Sequence, residues 1–209
     1  MRVAREGFPF IAIAAIGLVT LAGLGWHLAA LLWLPIVLWV IAFFRDPARD
    51  QVRGEDLILA PADGRVVSIV NLDEPSFIGG RATRVAIFMN VFNVHVNRYP
   101  AAGAVAFRDY RPGAFLNAAV EKASTDNEHS TVGLATSRGK LLMRQIAGLV
   151  ARRIVTDHEV GYEARQGERL GLIRFGSRVD LFLPPNVVLA VQPGDRTTAG
   201  ETVVARWKS

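Results

Sequence analysis

Three residues have the types needed for acyl-transfer chemistry: Asp63, His95 and Ser177. A serine hydroxyl is a weak nucleophile until a base takes its proton. Histidine held by a carboxylate commonly does this. Each residue also has a plain structural reading. Asp63 lies in Ala60-Pro61-Ala62-Asp63-Gly64-Arg65, where Asp-Gly makes a tight hairpin turn. His95 lies in Asn93-Val94-His95-Val96-Asn97-Arg98, directly after an apolar strand-like run, where histidine commonly packs and hydrogen-bonds. Ser177 follows Gly176 in RLGLIRFGSRVDLFLP, and glycine inside such a run often marks a bulge or bend. Chain order alone does not make a triad, because geometry defines one. There is no G-x-S-x-G elbow, so the chain does not read as an ordinary α/β-hydrolase. His27 lies in an apolar segment, His129 in a polar loop and His158 in a Thr-Asp-His-Glu turn. No H-E-x-x-H motif or His/Asp cluster points to a metal.

The elements that must position these residues read as strands. Short apolar or alternating runs recur at Leu57–Ala60, Arg65–Val70, Arg84–Val91, Ala104–Phe107 and Val132–Ala135. They continue at Leu141–Ile146, Leu170–Phe175, Val179–Leu183, Val187–Val191 and Thr202–Ala205. Their Val, Ile and Phe content predicts a mainly β, compact antiparallel sandwich or barrel-like domain with few short helices. Phe115–Lys122 is the best helix candidate, with a turn near Leu149–Arg153. A faint internal echo pairs QGERLGLI with AGETVVAR, and PADGRVVSI with PGDRTTAGE. Such turns build flattened, lipoyl-like sandwiches. A carrier needs a lysine on an exposed hairpin, and Lys122, Lys140 and Lys208 lack that setting.

The apolar excess sits at one end. No Asp, Glu, Lys or Arg occurs in the 37 residues between Gly7 and Arg45. One helix of that length would run about 55 Å, too long for a hydrocarbon core of about 30 Å. Two helices fit better, roughly Phe8–Leu24 and Leu28–Phe44, turning at Gly23, Gly25, Trp26 and His27. Pro35 would kink the second. The expected plan is a membrane hairpin over 1–44 and a globular domain over 45–209. Spanning and shallow re-entrant forms both remain open. The stretch is far longer than a signal-peptide core. A hairpin puts Arg2 and Arg5 on the side of Arg45 and Arg49, which predicts a cytoplasmic face. The chain has no cysteine, which excludes disulfides, thiolate zinc and a cysteine nucleophile. Its net charge of +5 comes from scattered basic residues, so no nucleic-acid motif emerges and an anionic lipid surface suits it better.

Together, RLGLIRFGSRVDLFLP, NVHVNRYPAAG, LAPADGRVV, FFRDPAR and YRPGAFLNAAVEKASTDNE resemble the short bacterial form of phosphatidylserine decarboxylase. The resemblance runs in order from about Phe43 to Pro184. It implies a proenzyme that cuts itself between Gly176 and Ser177, leaving a membrane-bound β chain (1–176) and an α chain (177–209) as a heterodimer. Ser177 would become a covalent pyruvoyl group, the cofactor. In that reading His95 is the base that activates Ser177, and Asp63 orients it. The pyruvoyl carbonyl would condense with the serine amine of the lipid and accept the electron pair as carbon dioxide leaves. His95 would then protonate the carbon. The expected site is a bacterial inner membrane, with phosphatidylserine and membrane lipids as partners.

The sequence departs from the family pattern in places. The cleavage site reads Phe-Gly-Ser-Arg where many members have Leu-Gly-Ser-Thr. Arg98 stands where larger relatives carry a second histidine. Asn93 and His129 stand where many short members have Asp and Arg. Two other readings compete: a membrane-anchored lipoyl-like adaptor that needs no Ser177, and a serine hydrolase that keeps Ser177 intact.

Overall fold

Residues of β-branched and apolar type alternate with polar ones along the second part of the chain, and they pair there as antiparallel strands. The computed structural model describes residues 2–50, 53–115, 118, 123–148, 153–174 and 177–208. It divides into two units, Met1–Ala48 and Arg49–Ser209.

In the first unit, strand β1 (Arg2–Val3) precedes helices α1 (Phe8–Gly23) and α2 (His27–Phe43), and strand β2 (Arg45–Asp46) follows. Gly25 turns the chain between the helices with φ 76°, a left-handed conformation that suits glycine. Trp33 Nε1 donates to the Ala14 carbonyl at 3.0 Å and ties the helices together. Pairing of β1 with β2 brings the two ends of the hairpin side by side. His27 opens α2, whereas the sequence placed it in the turn. Arg5–Gly23 is long and apolar enough to cross a membrane, and His27–Phe43 is apolar but shorter. Large side chains such as Ile13, Val19, Leu28 and Leu32 point outward from both helices.

The second unit begins with β3 (Leu57–Leu59), β4 (Gly64–Glu74), β5 (Gly80–Met89), β6 (Val96–Arg98) and β7 (Gly103–Arg111). A short helix α3 (Ala123–Asp126) leads into β8 (His129–Ala135) and β9 (Lys140–Ile146). Then come β10 (Ile154–Thr156), β11 (Glu163–Ala164), β12 (Arg169–Ile173) and β13 (Ser177–Leu183). Strands β14 (Val187–Leu189), β15 (Arg196–Thr197) and β16 (Val203–Trp207) complete it. The main sheet has the order β11-β7-β8-β9-β13-β5-β4-β15, and its neighbours run antiparallel. Two three-stranded sheets, β10-β12-β6 and β14-β16-β3, contribute to one core with it. Ile87, Met89, Val179 and Leu181 of the main sheet meet Leu170 and Ile173 of the first small sheet and Ile58 and Val204 of the second. Each such side chain contributes about 1.5–3 kcal/mol by leaving water.

Every run read as a strand overlaps an observed one. The Phe115–Lys122 helix and the Leu149–Arg153 turn fall mostly outside the described residues. The echoed Gly-Glu turns lie together: Gly167 and Gly200 both have positive φ and face each other closely.

Candidate active site

Ser177 opens β13, and the alternation of that strand sets its direction. Val179, Leu181 and Leu183 share its face and enter the main core, while Phe182 joins a separate cluster on the other face. Ser177 stands opposite Met89 of β5, is wholly buried, and donates from Oγ to Met89 Sδ at 3.5 Å. A thioether is a weak acceptor, so the hydroxyl stays available to a stronger base. The opposite face is clamped. Arg178 pairs with Asp180, both wholly buried, and Ser124 Oγ donates to Asp180 Oδ2 at 2.7 Å. Removing one partner of such a buried pair costs about 3–5 kcal/mol, which anchors the strand just after Ser177.

His95 immediately precedes β6. Its carbonyl accepts from the Ile173 N–H at 3.3 Å, extending the ladder in which Val96 faces Leu172. The ring is wholly buried, with Nδ1 3.0 Å from the Asn93 carbonyl oxygen. A carbonyl only accepts, so the neutral ring carries its proton on Nδ1 and its lone pair on Nε2. Nε2 is therefore the basic atom.

Asn97 follows at the next position on the same face of the strand. Its Nδ2 donates to Met89 Sδ at 3.6 Å, and its Oδ1 accepts from Gln145 Nε2 at 2.9 Å. Gln145 Oε1 accepts from Thr156 Oγ1 at 2.9 Å, and Thr156 shares a hydrogen bond with Ser130 at 2.8 Å. Ser177 and Asn97 thus meet on one sulfur atom. A buried polar chain behind Asn97 holds its amide in one orientation. Through Met89 the structure brings Ser177 together with β6, the strand that directly follows His95.

Asp63 has other partners. Both carboxylate oxygens accept from Arg49 Nη2 at 2.8 Å, and Oδ1 also accepts from the Ala199 N–H at 2.8 Å. The sequence paired Asp63 with His95, whereas His95 Nδ1 takes the Asn93 carbonyl and Asp63 takes Arg49 and Ala199. The Asp63 turn docks against the end of β6, where the Arg98 N–H donates to the Pro61 carbonyl at 2.9 Å. Gly176 lies outside the described residues.

A family model described as phosphatidylserine decarboxylase matches residues 36–205, which contain Asp63, His95 and Ser177. The chain belongs to the phosphatidylserine decarboxylase family. Curated relatives bear the name phosphatidylserine decarboxylase proenzyme. One from Syntrophotalea carbinolica is 48% identical over 207 residues, covering 99% of this chain and 97% of its own. Another from Symbiobacterium thermophilum is 47% identical over 206 residues, covering 98% and 95%. A third, from Geotalea uraniireducens, is 46% identical over 203 residues, covering 97% and 95%.

The other histidines of this decarboxylase-family chain lie elsewhere in the fold. His158 stacks on Tyr162 with ring centroids 3.7 Å apart. His129 opens β8 and is buried, a correction to its reading as a polar-loop residue. Its Nδ1 donates to the Asn127 carbonyl at 2.8 Å. Burial pushes its pKa below the ordinary 6.5, opposed by that hydrogen bond and reinforced by Arg144 and Arg111. A lowered histidine pKa means that the unfolded chain binds the proton more readily. The stability this contributes is complete above about pH 6.5 and is lost as pH falls towards the folded value. Thermal melts across that window should show acid destabilisation that is reduced in His129→Asn, whose amide can still reach the Asn127 carbonyl. An unchanged acid slope would contradict the assignment.

Reading the residues alone missed Asn97, Met89, Gln145 and Arg49. Asn97 had a usable signal, because it stands two residues beyond His95 and so shares its strand face. The other three reach the site through pairing distant in sequence.

Proposed function

We propose that this phosphatidylserine decarboxylase is made as a proenzyme, cuts itself between Gly176 and Ser177, and releases carbon dioxide from phosphatidylserine to give phosphatidylethanolamine. The observation that most supports this reading is the register that turns Ser177 inward onto the Met89 sulfur shared with Asn97.

In this account, His95 Nε2 takes the Ser177 hydroxyl proton and Oγ adds to the Gly176 carbonyl carbon. The Ser177 nitrogen leaves with a proton from His95, so the peptide becomes an ester. Loss of the Ser177 Cα proton then expels the Gly176 carboxylate. Water replaces the nitrogen, which departs as ammonia, and a pyruvoyl group heads residues 177–209. Asp63 acts as a positioning residue: its bonds to Arg49 and Ala199 fix the turn packed against β6.

The surroundings of Ser177 suit that group. Asn97 Nδ2 donates to a weak thioether acceptor, and a carbonyl oxygen there offers a better one. When formed, the pyruvoyl carbonyl supplies the electron sink that lets the bound serine headgroup lose carbon dioxide. His95 Nε2 returns a proton to the headgroup carbon. The two chains stay together after cleavage because β13 lies between β5 and β9, and β16 pairs with β3. The apolar hairpin holds the enzyme in the bacterial inner membrane, with Arg2, Arg5 and Arg45 on the cytoplasmic side.

The test is turnover of phosphatidylserine in neutral detergent, with and without hydroxylamine. Phosphatidylethanolamine formation that hydroxylamine abolishes is expected. Formation that resists hydroxylamine would contradict a carbonyl cofactor.

A further inference from the structure

Where β4 begins and β5 ends, Arg65, Phe88, Asn90, Phe92, Asn93 and Arg196 border a cleft of about 400 Å³. Arg196 and Arg65 are direct cross-strand partners on β15 and β4, so their side chains leave the sheet on one face. Both are exposed. Like charges placed directly opposite each other destabilise a strand pair. Other arginines have acidic partners: Arg49 has Asp63, Arg108 has Glu159 and Arg206 has Asp56. Among the described residues, neither Arg65 nor Arg196 has a carboxylate partner. The pair presents a divided positive charge to whatever enters the cleft.

The cleft adjoins the reacting centre. Asn93, in its wall, supplies the carbonyl to which His95 donates. Phe88 stands opposite both Arg65 and Arg178 on the outer face of the sheet, and the next residue, Met89, turns to the inner face opposite Ser177. Arg65 is two strand spacings from β13, about 10 Å. The route from the cleft to Ser177 therefore passes the end of the sheet, at the Asn90–Asn93 turn whose last carbonyl holds His95.

The lip of the cleft is braced. The Asn90 N–H donates to Asn93 Oδ1 at 2.9 Å, and the Phe92 N–H donates to Asn90 Oδ1 at 2.9 Å. The Asn93 N–H closes the turn on the Asn90 carbonyl at 3.0 Å. This turn presents Phe92 with 71% of its surface exposed. An aromatic ring held out beside a cationic pair suits a boundary between acyl chains and anionic headgroups.

We propose that this cleft binds the phosphodiester of the lipid substrate, with Arg65 and Arg196 on the phosphate and Phe92 against the acyl region. The assignment rests on the decarboxylase reading for its ligand. Free phosphate offers the arginines the same chemistry, and Phe92 is the feature that favours lipid.

The direct test measures glycerophosphoserine binding by calorimetry to the full chain carrying Ser177→Ala, so that neither cleavage nor turnover enters. Adding R65Q and R196Q should weaken binding about 30- to 100-fold, the loss of two charge-assisted contacts. Removing two charges elsewhere, with R81Q and R138Q, should change it less than threefold. Equal binding with and without the Arg65–Arg196 pair would overturn the proposal, as would an equal loss in the control pair. In the chain with Ser177 intact, R65Q with R196Q should raise KM by a similar factor while kcat changes little. Loss of self-cleavage in that variant would place the arginines in processing and overturn the subsite. An inactive parent chain that still binds glycerophosphoserine through these arginines would sink the decarboxylase reading and spare the subsite. Phe92→Ser should raise KM for long-chain phosphatidylserine about tenfold and leave glycerophosphoserine binding alone. Equal effects on both, or on neither, would overturn the lipid contact in favour of free phosphate.

Discussion

Ser177→Ala is expected to give one uncut chain of 22.8 kDa with no decarboxylase activity. In the proposed self-cleavage, the substitution removes Oγ, the atom that attacks the Gly176 carbonyl and then carries that acyl group. It also removes the proposed precursor of the pyruvoyl group, so no residual turnover is expected. The fold should survive. Ser177 Oγ donates to a sulfur atom at 3.5 Å, and losing so weak a bond costs about 1 kcal/mol or less. A melting temperature within a few degrees of the parent would show that the loss is chemical. Intact mass and phosphatidylethanolamine formation read the two consequences separately. A cut and active Ser177→Ala protein would end the proposal.

His95→Gln should lower turnover by about 10²- to 10⁴-fold, the usual contribution of a positioned proton-transfer group. Glutamine keeps an amide that can reach toward the Asn93 carbonyl, but it cannot take up a proton near neutral pH. The comparison therefore separates the ring's acid–base chemistry from its packing. If His95 also starts self-cleavage, the purified variant should remain largely uncut, and its mass should change over days rather than during expression. A variant that is fully cut yet inactive would restrict His95 to decarboxylation and assign the first step to another base. Turnover within threefold of the parent would remove His95 from the mechanism.

Much of the fold could be read in the sequence because strand alternation is a local signal. Val179, Leu181 and Leu183 announce a core face two residues at a time, and the same count places Ser177 on that face. The hairpin was equally legible, since 37 uncharged residues admit few arrangements. The partners of the site residues were not legible. Asp63 lies 14 positions from Arg49 and 136 from Ala199, so its bonds depend on β15 closing against β4. Short strands such as β6 and β10 carry too few residues to show a period, yet β6 holds Asn97 and directs His95. His129 looked solvated because polar residues precede it, but pairing of β8 with β9 buries it. Arg65 and Arg196 are 131 residues apart in the chain and become neighbours only through one short ladder.

The central claim is that Ser177 is consumed to make the catalytic group, and the intact mass of the purified protein under denaturing conditions tests it most directly. The account predicts two species, residues 1–176 and residues 177–209. The shorter should begin with a blocked pyruvoyl residue and gain mass with a carbonyl reagent. A single chain of 22.8 kDa that nevertheless makes phosphatidylethanolamine would contradict it.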